Sequence, residues 1–279
     1  MVTQIHPHET GRRCESATGA ASLPLTRPAL SRALAGFAPI SLAEMADVAL
    51  LRRIDTKLVL REEQLVGVLA RLSDDYEVLE IANRRLHHYQ TLYFDTPAYA
   101  LYYQHHNGQG NRYKVRARTY LDSGLAFLEV KHKTPQGVTL KERLQTAALL
   151  RWIDPRAREF LAAHFPYPAE SLTPVLWNHF RRVTLVSKHR AERLTLDVGL
   201  SFRVGQTELA LPGLAIVEVK QAAYSLRSEF IGQLRALGVR PVGFSKYCIG
   251  VSLLVPQVKH NHFKPNHLWL NRILQEKNN

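Results

Sequence analysis

The chain has 279 residues, 46% of them hydrophobic and 22% charged, which is the composition of an ordinary globular protein. Lys and Arg number 37 against 24 Asp and Glu, a formal charge of +13 that predicts a polyanionic partner: nucleic acid, an anionic membrane surface or a phosphate-rich small molecule. Two cysteines without a CxxC motif argue against a disulfide framework or cysteine zinc site and predict a cytoplasmic location. No stretch approaches the roughly 18 apolar residues of a membrane helix.

The composition divides the chain into three parts. Residues 1–39 are rich in Ala, Ser, Thr, Pro and Arg without periodicity, which predicts a flexible tail. Ser41 with Glu44 forms a capping box, so ordered structure is expected to begin with a short helix that runs to about Leu50. Residues 40–258 contain no long linker and predict one domain. Residues 259–279 predict a polar arm that ends in a small helix around Leu268 to Leu274.

Nine segments of the domain alternate polar and apolar residues with the period of a β-strand: 51–60, 76–81, 86–95, 112–121, 125–133, 137–145, 175–187, 192–201 and 214–220. The turn Asp122-Ser123-Gly124 predicts that the fourth and fifth of these form an antiparallel hairpin. Helices are predicted from Thr96-Pro97 to Gly108, after Asp154-Pro155, and from Ser225 to Gly238. Many antiparallel strands with few helices predict an α+β fold.

One face of these strands is polar and dominated by bases. It carries Arg53, Asp55 and Lys57 on the first strand, then Arg112, Lys114, Arg116 and Arg118, then Glu129, Lys131 and Lys133, then Arg193, Thr195 and Asp197, and finally Glu218 and Lys220. A solvent-facing surface explains any single strand, but solvent faces usually mix residue types. If the sheet closes into a barrel with helices packed outside, these charges line its interior.

Concentrated positive charge in a narrow space requires a polyanion to neutralise it. Arginine forks match phosphate oxygens in pairs, and the interspersed carboxylates suit Mg²⁺ or Mn²⁺. The pattern therefore predicts a basic antiparallel tunnel that holds linked phosphates with a divalent metal.

Several segments, in this order, resemble the VTC (vacuolar transporter chaperone) domain, the polyphosphate polymerase branch of the triphosphate tunnel metalloenzymes. They are Thr91-Leu-Tyr-Phe-Asp95, Lys114-Val-Arg-Ala-Arg118, Glu129-Val-Lys131, Glu218-Val-Lys220 and Ser245-Lys-Tyr247. The resemblance covers roughly residues 40–255. It implies a closed eight-stranded antiparallel β-barrel, a divalent metal (Mn²⁺ or Mg²⁺), and growth of polyphosphate from the γ-phosphoryl group of ATP.

The resemblance also implies roles for individual residues. Arg116, Arg118, Arg182 and Arg193 match the arginines that hold the reacting phosphates, although a one-residue slip would exchange Arg182 for Arg181. Lys57, Lys131, Lys141, Lys220 and Lys246 match substrate-binding lysines. Glu218 matches the metal-binding glutamate, with Glu129 as the second metal candidate.

The first strand departs from the superfamily pattern, and this departure bears on which activity of the superfamily is expected. Hydrolytic and cyclase branches begin with an ExExK signature, where this chain has Arg53, Asp55 and Lys57. The loss of one glutamate favours the polymerase over a triphosphatase of the same fold. A non-catalytic polyphosphate-binding module stays open as an alternative, as do a membrane-protein partner and the oligomeric state. Nucleic acid is not expected as a ligand, because the bases occupy alternate positions of strands.

Overall fold

The computed structural model of the protein describes residues 26–47, 54–223 and 225–275. These contain eight α-helices: α1 (Thr26–Ala35), α2 (Leu42–Asp47), α3 (Glu62–Leu69), α4 (Ala100–His106), α5 (Pro155–His164), α6 (Glu229–Ala236), α7 (Lys246–Leu254) and α8 (Lys264–Gln275). No helix in these ranges is long and apolar enough to cross a membrane.

The same ranges contain ten strands: β1 (Ala38–Ile40), β2 (Ile54–Arg61), β3 (Tyr76–Leu79), β4 (His87–Asp95), β5 (Arg112–Tyr120), β6 (Ala126–Lys133), β7 (Thr139–Thr146), β8 (Thr173–Ser187), β9 (Glu192–Val204) and β10 (Thr207–Gln221). Eight of them form one antiparallel path in the order β2-β10-β9-β8-β4-β5-β6-β7. The short strand β3 pairs with the far end of β8 and carries β1 beside it. The α+β class and the predicted β5–β6 hairpin are therefore confirmed.

Hydrogen bonds do not close this sheet into a ring. Within the described ranges, the edge strands β2 and β7 are not paired with each other. The free edge of β2 is instead covered by the segment that leads into α7: the Val242 amide donates to the Lys57 carbonyl at 2.8 Å, and Leu58 bridges Pro241. The expected closed eight-stranded barrel is therefore not confirmed: eight strands form an antiparallel path with two edges, and β3 and β1 extend the same ten-stranded sheet beside β8.

The helices cover the apolar face of the strands. Leu58, Leu196 and Val217 share one buried cluster with side chains from α1, α3 and α6. Val115 and Leu128 share another cluster with α5. Since side chains of a strand alternate between its two faces, the basic residues between these positions face the other way.

The predicted flexible tail is wrong for residues 26–39. Helix α1 begins at Thr26, and Leu30, Leu34 and Phe37 are buried against α3 in the main core. A single ten-residue helix with an apolar residue every three or four positions is a weak signal in an Ala- and Ser-rich stretch, which is why the pattern was missed. Residues 1–25 lie outside the described residues.

The C-terminal arm is likewise packed rather than separate. Leu270 and Ile273 of α8 are buried in a cluster that also contains residues of α7 and of β8–β10. The helix predicted there is confirmed, and it begins earlier than expected because its apolar stripe seals this part of the core.

Several local predictions are confirmed by hydrogen bonds. Ser41 and Glu44 form the reciprocal capping box of α2, with distances of 2.9 and 3.2 Å, while the expected end of that helix near Leu50 lies outside the described residues. Asp154 caps α5 by accepting from the Ala157 amide at 2.7 Å. Gly124 has a φ of 71°, the left-handed conformation that its turn requires.

Candidate active site

The sheet curls so that charged side chains from its two ends face one another. Lys131 on β6 is close enough to Lys57 on β2 and Glu218 on β10 for both to influence its pKa. We call the inward charged surface the basic face; it comprises Lys57, Lys114, Arg116, Arg118, Glu129, Lys131, Lys141, Arg143, Arg182, Arg193, Asp197, Glu218, Lys220 and Lys246. Every residue predicted for the site belongs to this face.

The carboxylate of Glu129 is held between two bases. Arg116, directly opposite it in the β5–β6 register, donates from Nε at 2.7 Å, and its Nη2 lies 2.6 Å from the same oxygen. Lys141 of β7 pairs with the other oxygen. Burial acts to raise the pKa of Glu129, but Arg116, Arg118 and Lys141 together lower it, so the carboxylate stays ionised.

Asp197 on β9 repeats this arrangement. Arg182 of β8 donates to both of its oxygens, at 2.6 and 2.8 Å, and Lys246 at the start of α7 lies 2.5 Å from Oδ2. Burial acts to raise the pKa of Asp197, and the two bases lower it below the ordinary value. The paired geometry is the fork that arginine offers to planar oxygens.

Glu218 on β10 is the third carboxylate with two bases. Lys57 lies 3.0 Å from its Oε1, and Lys220 contacts Oε2. Its side chain is 20% exposed, against 1% for Glu129 and 4% for Asp197. Glu218 is therefore the carboxylate of the three that has room for a further ligand.

Other cations of the face form no direct ion pair with a carboxylate. Arg118, Lys114 and Lys131 form no ion pair in the described part of the chain, and Arg118 bonds only to the Thr91 hydroxyl, at 3.2 Å. Burial and the neighbouring Lys114 and Arg116 lower the pKa of Lys131 from 10.5 to about 8. A site that depresses lysine pKa values in this way favours an anion that would restore them.

Aromatic rings lie beneath the arginines. Tyr89 stacks on Phe180 with centroids 5.1 Å apart, and the guanidinium groups of Arg118 and Arg182 lie 5.1 to 5.7 Å from both rings. The Tyr89 ring faces the charged interior and also packs against the cluster that contains α7 and α8. These contacts fix the arginine forks without using up their hydrogen-bond donors.

Helix α7 carries Lys246 into the site. Ser245 caps the helix by accepting from the Cys248 amide at 3.3 Å, and Tyr247 donates to Asp95, the end of the Thr91–Asp95 segment. Gly250 lets α7 approach β8 and β9 closely, since a Cβ there would lie 2.7 Å from side-chain atoms of Leu176 and Phe202. The two segments of the family pattern thus meet in space.

The uncertainty between the neighbouring arginines of β8 is resolved by a register shift between His179 and Arg181. Arg182 faces Asp197, whereas the guanidinium of Arg181 lies against the backbone of Gly199. Arg193 lies on the basic face by position, opposite Lys220 in the β9–β10 register and next to the buried Leu194.

The described residues contain no group of three or more His, Cys, Asp or Glu side chains that would bind a metal ion by themselves. Mg²⁺ is commonly held by one or two carboxylates together with substrate phosphates. Glu218, ionised and partly exposed, matches the carboxylate of that donor set.

Two neighbouring histidines lie in a helix rather than in a solvated loop. His105 and His106 belong to α4, where burial lowers the pKa of His105 to about 2 and His106 bonds to Asn261 at 2.7 Å. His105 is therefore a neutral packing residue, and neither histidine belongs to the basic face.

Two residues of the site were not selected from the sequence. Asp197 is the shared partner of Arg182 and Lys246, and Arg143 on β7 lies 5.0 Å from the centre of the Phe127 ring. Strand parity placed Asp197 on the polar face without giving it a role, and the same alternation from Lys141 could have identified Arg143.

Comparison with known proteins gives the family. The VTC domain family matches residues 52–255, and the chain therefore belongs to the VTC domain family. A comparison with curated proteins gives no match.

Several solved structures are similar in overall arrangement. HpAC1 from Hippeastrum, described as having a dominant triphosphatase activity, is 18% identical, with 73% of this chain and 98% of that chain covered and a TM-score of 0.43. A candidate adenylate cyclase from Bacillus halodurans is 16% identical, with coverage of 70% and 94% and a TM-score of 0.43. PH1819 from Pyrococcus horikoshii is 14% identical, with coverage of 70% and 95% and a TM-score of 0.40. The family assignment rests on the VTC match, which together with the basic face supports a phosphoryl-transfer function.

Proposed function

We propose that the protein extends inorganic polyphosphate with ATP as the phosphoryl donor, inside a tunnel that the eight strands enclose. One observation carries this proposal: bases from β2, β5–β10 and α7 converge on a single face, and more of them are present than the three carboxylates neutralise. Bases that are spaced over several strands match the regularly spaced negative charges of an extended phosphate chain.

The arginines would hold the triphosphate of ATP. Arg118 has no carboxylate partner, so its donors are available to phosphate oxygens without breaking an ion pair. Arg116 and Arg182 each keep a carboxylate that fixes the guanidinium plane, and Arg193 lies beside Lys220. Phosphoryl transfer depends mainly on such positioning and charge stabilisation.

The lysines would hold the acceptor. Lys57, Lys131, Lys141, Lys220 and Lys246 lie on the same face and suit the end of a polyphosphate chain. Its terminal oxygen would form a bond to the γ-phosphorus while the bond from that phosphorus to the β–γ bridging oxygen breaks. ADP leaves with the bridging oxygen, and the polymer is one phosphate longer. No side-chain nucleophile is required.

A divalent metal, Mn²⁺ or Mg²⁺, would neutralise phosphate charge when bound. We assign Glu218 as its protein ligand because this carboxylate is the most exposed of the three. Glu129, the other metal candidate, is sealed between Arg116 and Lys141. We propose that it positions Arg116 instead.

The test is to incubate the purified protein with ATP and Mn²⁺, to stain a gel for polyphosphate and to follow free phosphate in parallel. The proposal expects polymer with little free phosphate. Free phosphate without polymer would identify a triphosphatase, and neither product would identify a binding module; both outcomes contradict the proposal. The cytoplasmic location and a membrane-protein partner stay predictions.

A further inference from the structure

A second concentration of arginine lies at the edge of β2, in a cavity lined by no residue of the basic face. A cavity of about 600 Å³ is bounded by Arg61 and Gln64 at the junction of β2 and α3, by residues 238–242, and by Trp269 and Arg272 of α8. Its volume lies within the range of small-molecule sites. The arginines come from three separate parts of the chain, which the fold brings together.

The walls of this cavity carry arginines but no carboxylate. Arg240 and Arg272 are exposed, and neither forms an ion pair or hydrogen bond in the described ranges. These two guanidinium groups beside one space attract an anion with several oxygens, because each guanidinium offers paired donors.

The rest of the lining is apolar. Val239, Pro241 and Ile273 contribute aliphatic surface, and the half-buried Trp269 contributes an aromatic ring. A bare inorganic anion would leave this surface unused. The combination fits a phosphorylated small molecule that also carries a ring, as a nucleotide does.

We propose that this cavity is a second ligand site, separate from the basic face, that binds a phosphorylated ring compound of nucleotide size. Residues 238–242 form one wall of the cavity and also pair with the edge of β2, where the Val242 amide donates to the Lys57 carbonyl. A ligand in the cavity would therefore contact the segment that covers the edge of β2 and then leads along the chain to Lys246 of α7. The proposal does not depend on polyphosphate synthesis.

The experiment counts ATP-binding sites on the full chain by titration calorimetry in EDTA, where turnover is absent. We expect two equivalents of ATP for the parent protein and one for the variant Arg240→Ala/Arg272→Ala. The matched control, Arg32→Ala/Arg156→Ala, removes two exposed helix-surface arginines and the same charge, and it should still bind two. A variant of the basic face, Arg116→Ala/Arg118→Ala, should keep the equivalent of ATP that binds in the cavity.

Trp269 supplies an independent readout, since ATP should quench its fluorescence in the parent protein but not in Arg240→Ala/Arg272→Ala. The proposal is overturned if the parent protein binds one equivalent that the cavity variant retains. It is equally overturned if the cavity variant binds as much ATP as the matched control. Because both results come from binding alone, a protein that makes no polymer would leave this conclusion unaffected.

Discussion

Arg182 and Asp197 form a two-point ion pair across β8 and β9, with N–O distances of 2.6 and 2.8 Å, and Lys246 contacts the same carboxylate from α7. One buried carboxylate thus fixes two cations from different parts of the chain. In the absence of a bound polyanion, this pairing allows the concentrated positive charge to coexist with a folded protein.

Asp197→Asn should therefore destabilise the ligand-free protein. The substitution leaves Arg182 and Lys246 without a counter-charge, and we expect the free energy of unfolding to fall by about 3 kcal/mol. Denaturant unfolding measures this change. Polyphosphate should restore more stability to the variant than to the parent protein, because it replaces the missing charge.

The control for that experiment is Glu170→Gln, which breaks an exposed ion pair with Arg158. Its cost should stay below about 1 kcal/mol. If Asp197→Asn costs no more than this control, the carboxylate does not stabilise the basic face.

Glu218→Gln and Glu129→Gln should impair different properties of the protein, turnover in the first case and stability in the second. Glu218→Gln removes the exposed carboxylate, so we expect loss of turnover with ATP and Mn²⁺ while metal-free polyphosphate binding is kept or strengthened. Glu129→Gln should mainly lower stability, since Arg116 and Lys141 lose their buried partner. Turnover, binding and unfolding measured on both variants separate the two roles; full activity of Glu218→Gln would transfer the metal role to Glu129.

Arg118 and Arg116 provide a matched pair for phosphate binding. Arg118→Ala should weaken triphosphate binding by about 1.5–3 kcal/mol, the value of a charge-assisted hydrogen bond, which is roughly 10- to 150-fold. Its effect on stability should be smaller than that of Arg116→Ala, which leaves the buried Glu129 carboxylate with one base fewer. Calorimetric binding and thermal unfolding test both statements, and equal losses of stability would contradict the assignment.

Polyphosphate affinity should depend on pH through Lys131. Its pKa is lowered to about 8, chiefly by burial and then by Lys114 and Arg116, and a bound polyanion would raise it. Binding therefore takes up a proton, so affinity should be nearly constant well below pH 8 and fall as the pH rises above it, by up to tenfold per unit.

The control for this titration is Lys131→Arg, whose guanidinium stays protonated over the whole range. It should lose affinity less steeply as the pH rises, with the remaining slope due to Lys114, whose pKa is also lowered. An identical pH profile for the parent protein and Lys131→Arg would show that Lys131 does not contact the polyanion.

Strand parity is the reason that most of the site could be predicted. Because side chains alternate strictly, Lys114, Arg116 and Arg118 share a face wherever the strand lies. The hairpin turn at Gly124 then sets the register that places Arg116 opposite Glu129. Both features are local, and local features are readable from one sequence.

The features that were missed depend on contacts distant in sequence. Asp197 matters because Lys246, 49 residues away, reaches it. The edge of β2 is covered by Pro241 and Val242 rather than by β7, and no periodicity indicates such a pairing. Helix α1 is stabilised by packing on α3, so its short sequence pattern resembled a disordered tail.

The central claim is that the bases of the curled sheet form a site for a linear phosphate chain rather than a general anionic surface. The most direct test compares the affinity of the protein for polyphosphate and for duplex DNA of equal charge at moderate salt. The basic face lies between the two ends of the curled sheet, so we expect it to admit a bare phosphate chain. A DNA duplex, with a major groove about 12 Å wide and a minor groove about 6 Å wide, has a diameter of about 20 Å and should not enter. Polyphosphate should therefore bind far more tightly, and in Arg118→Ala this preference should shrink. DNA binding as tight as polyphosphate binding would contradict the account.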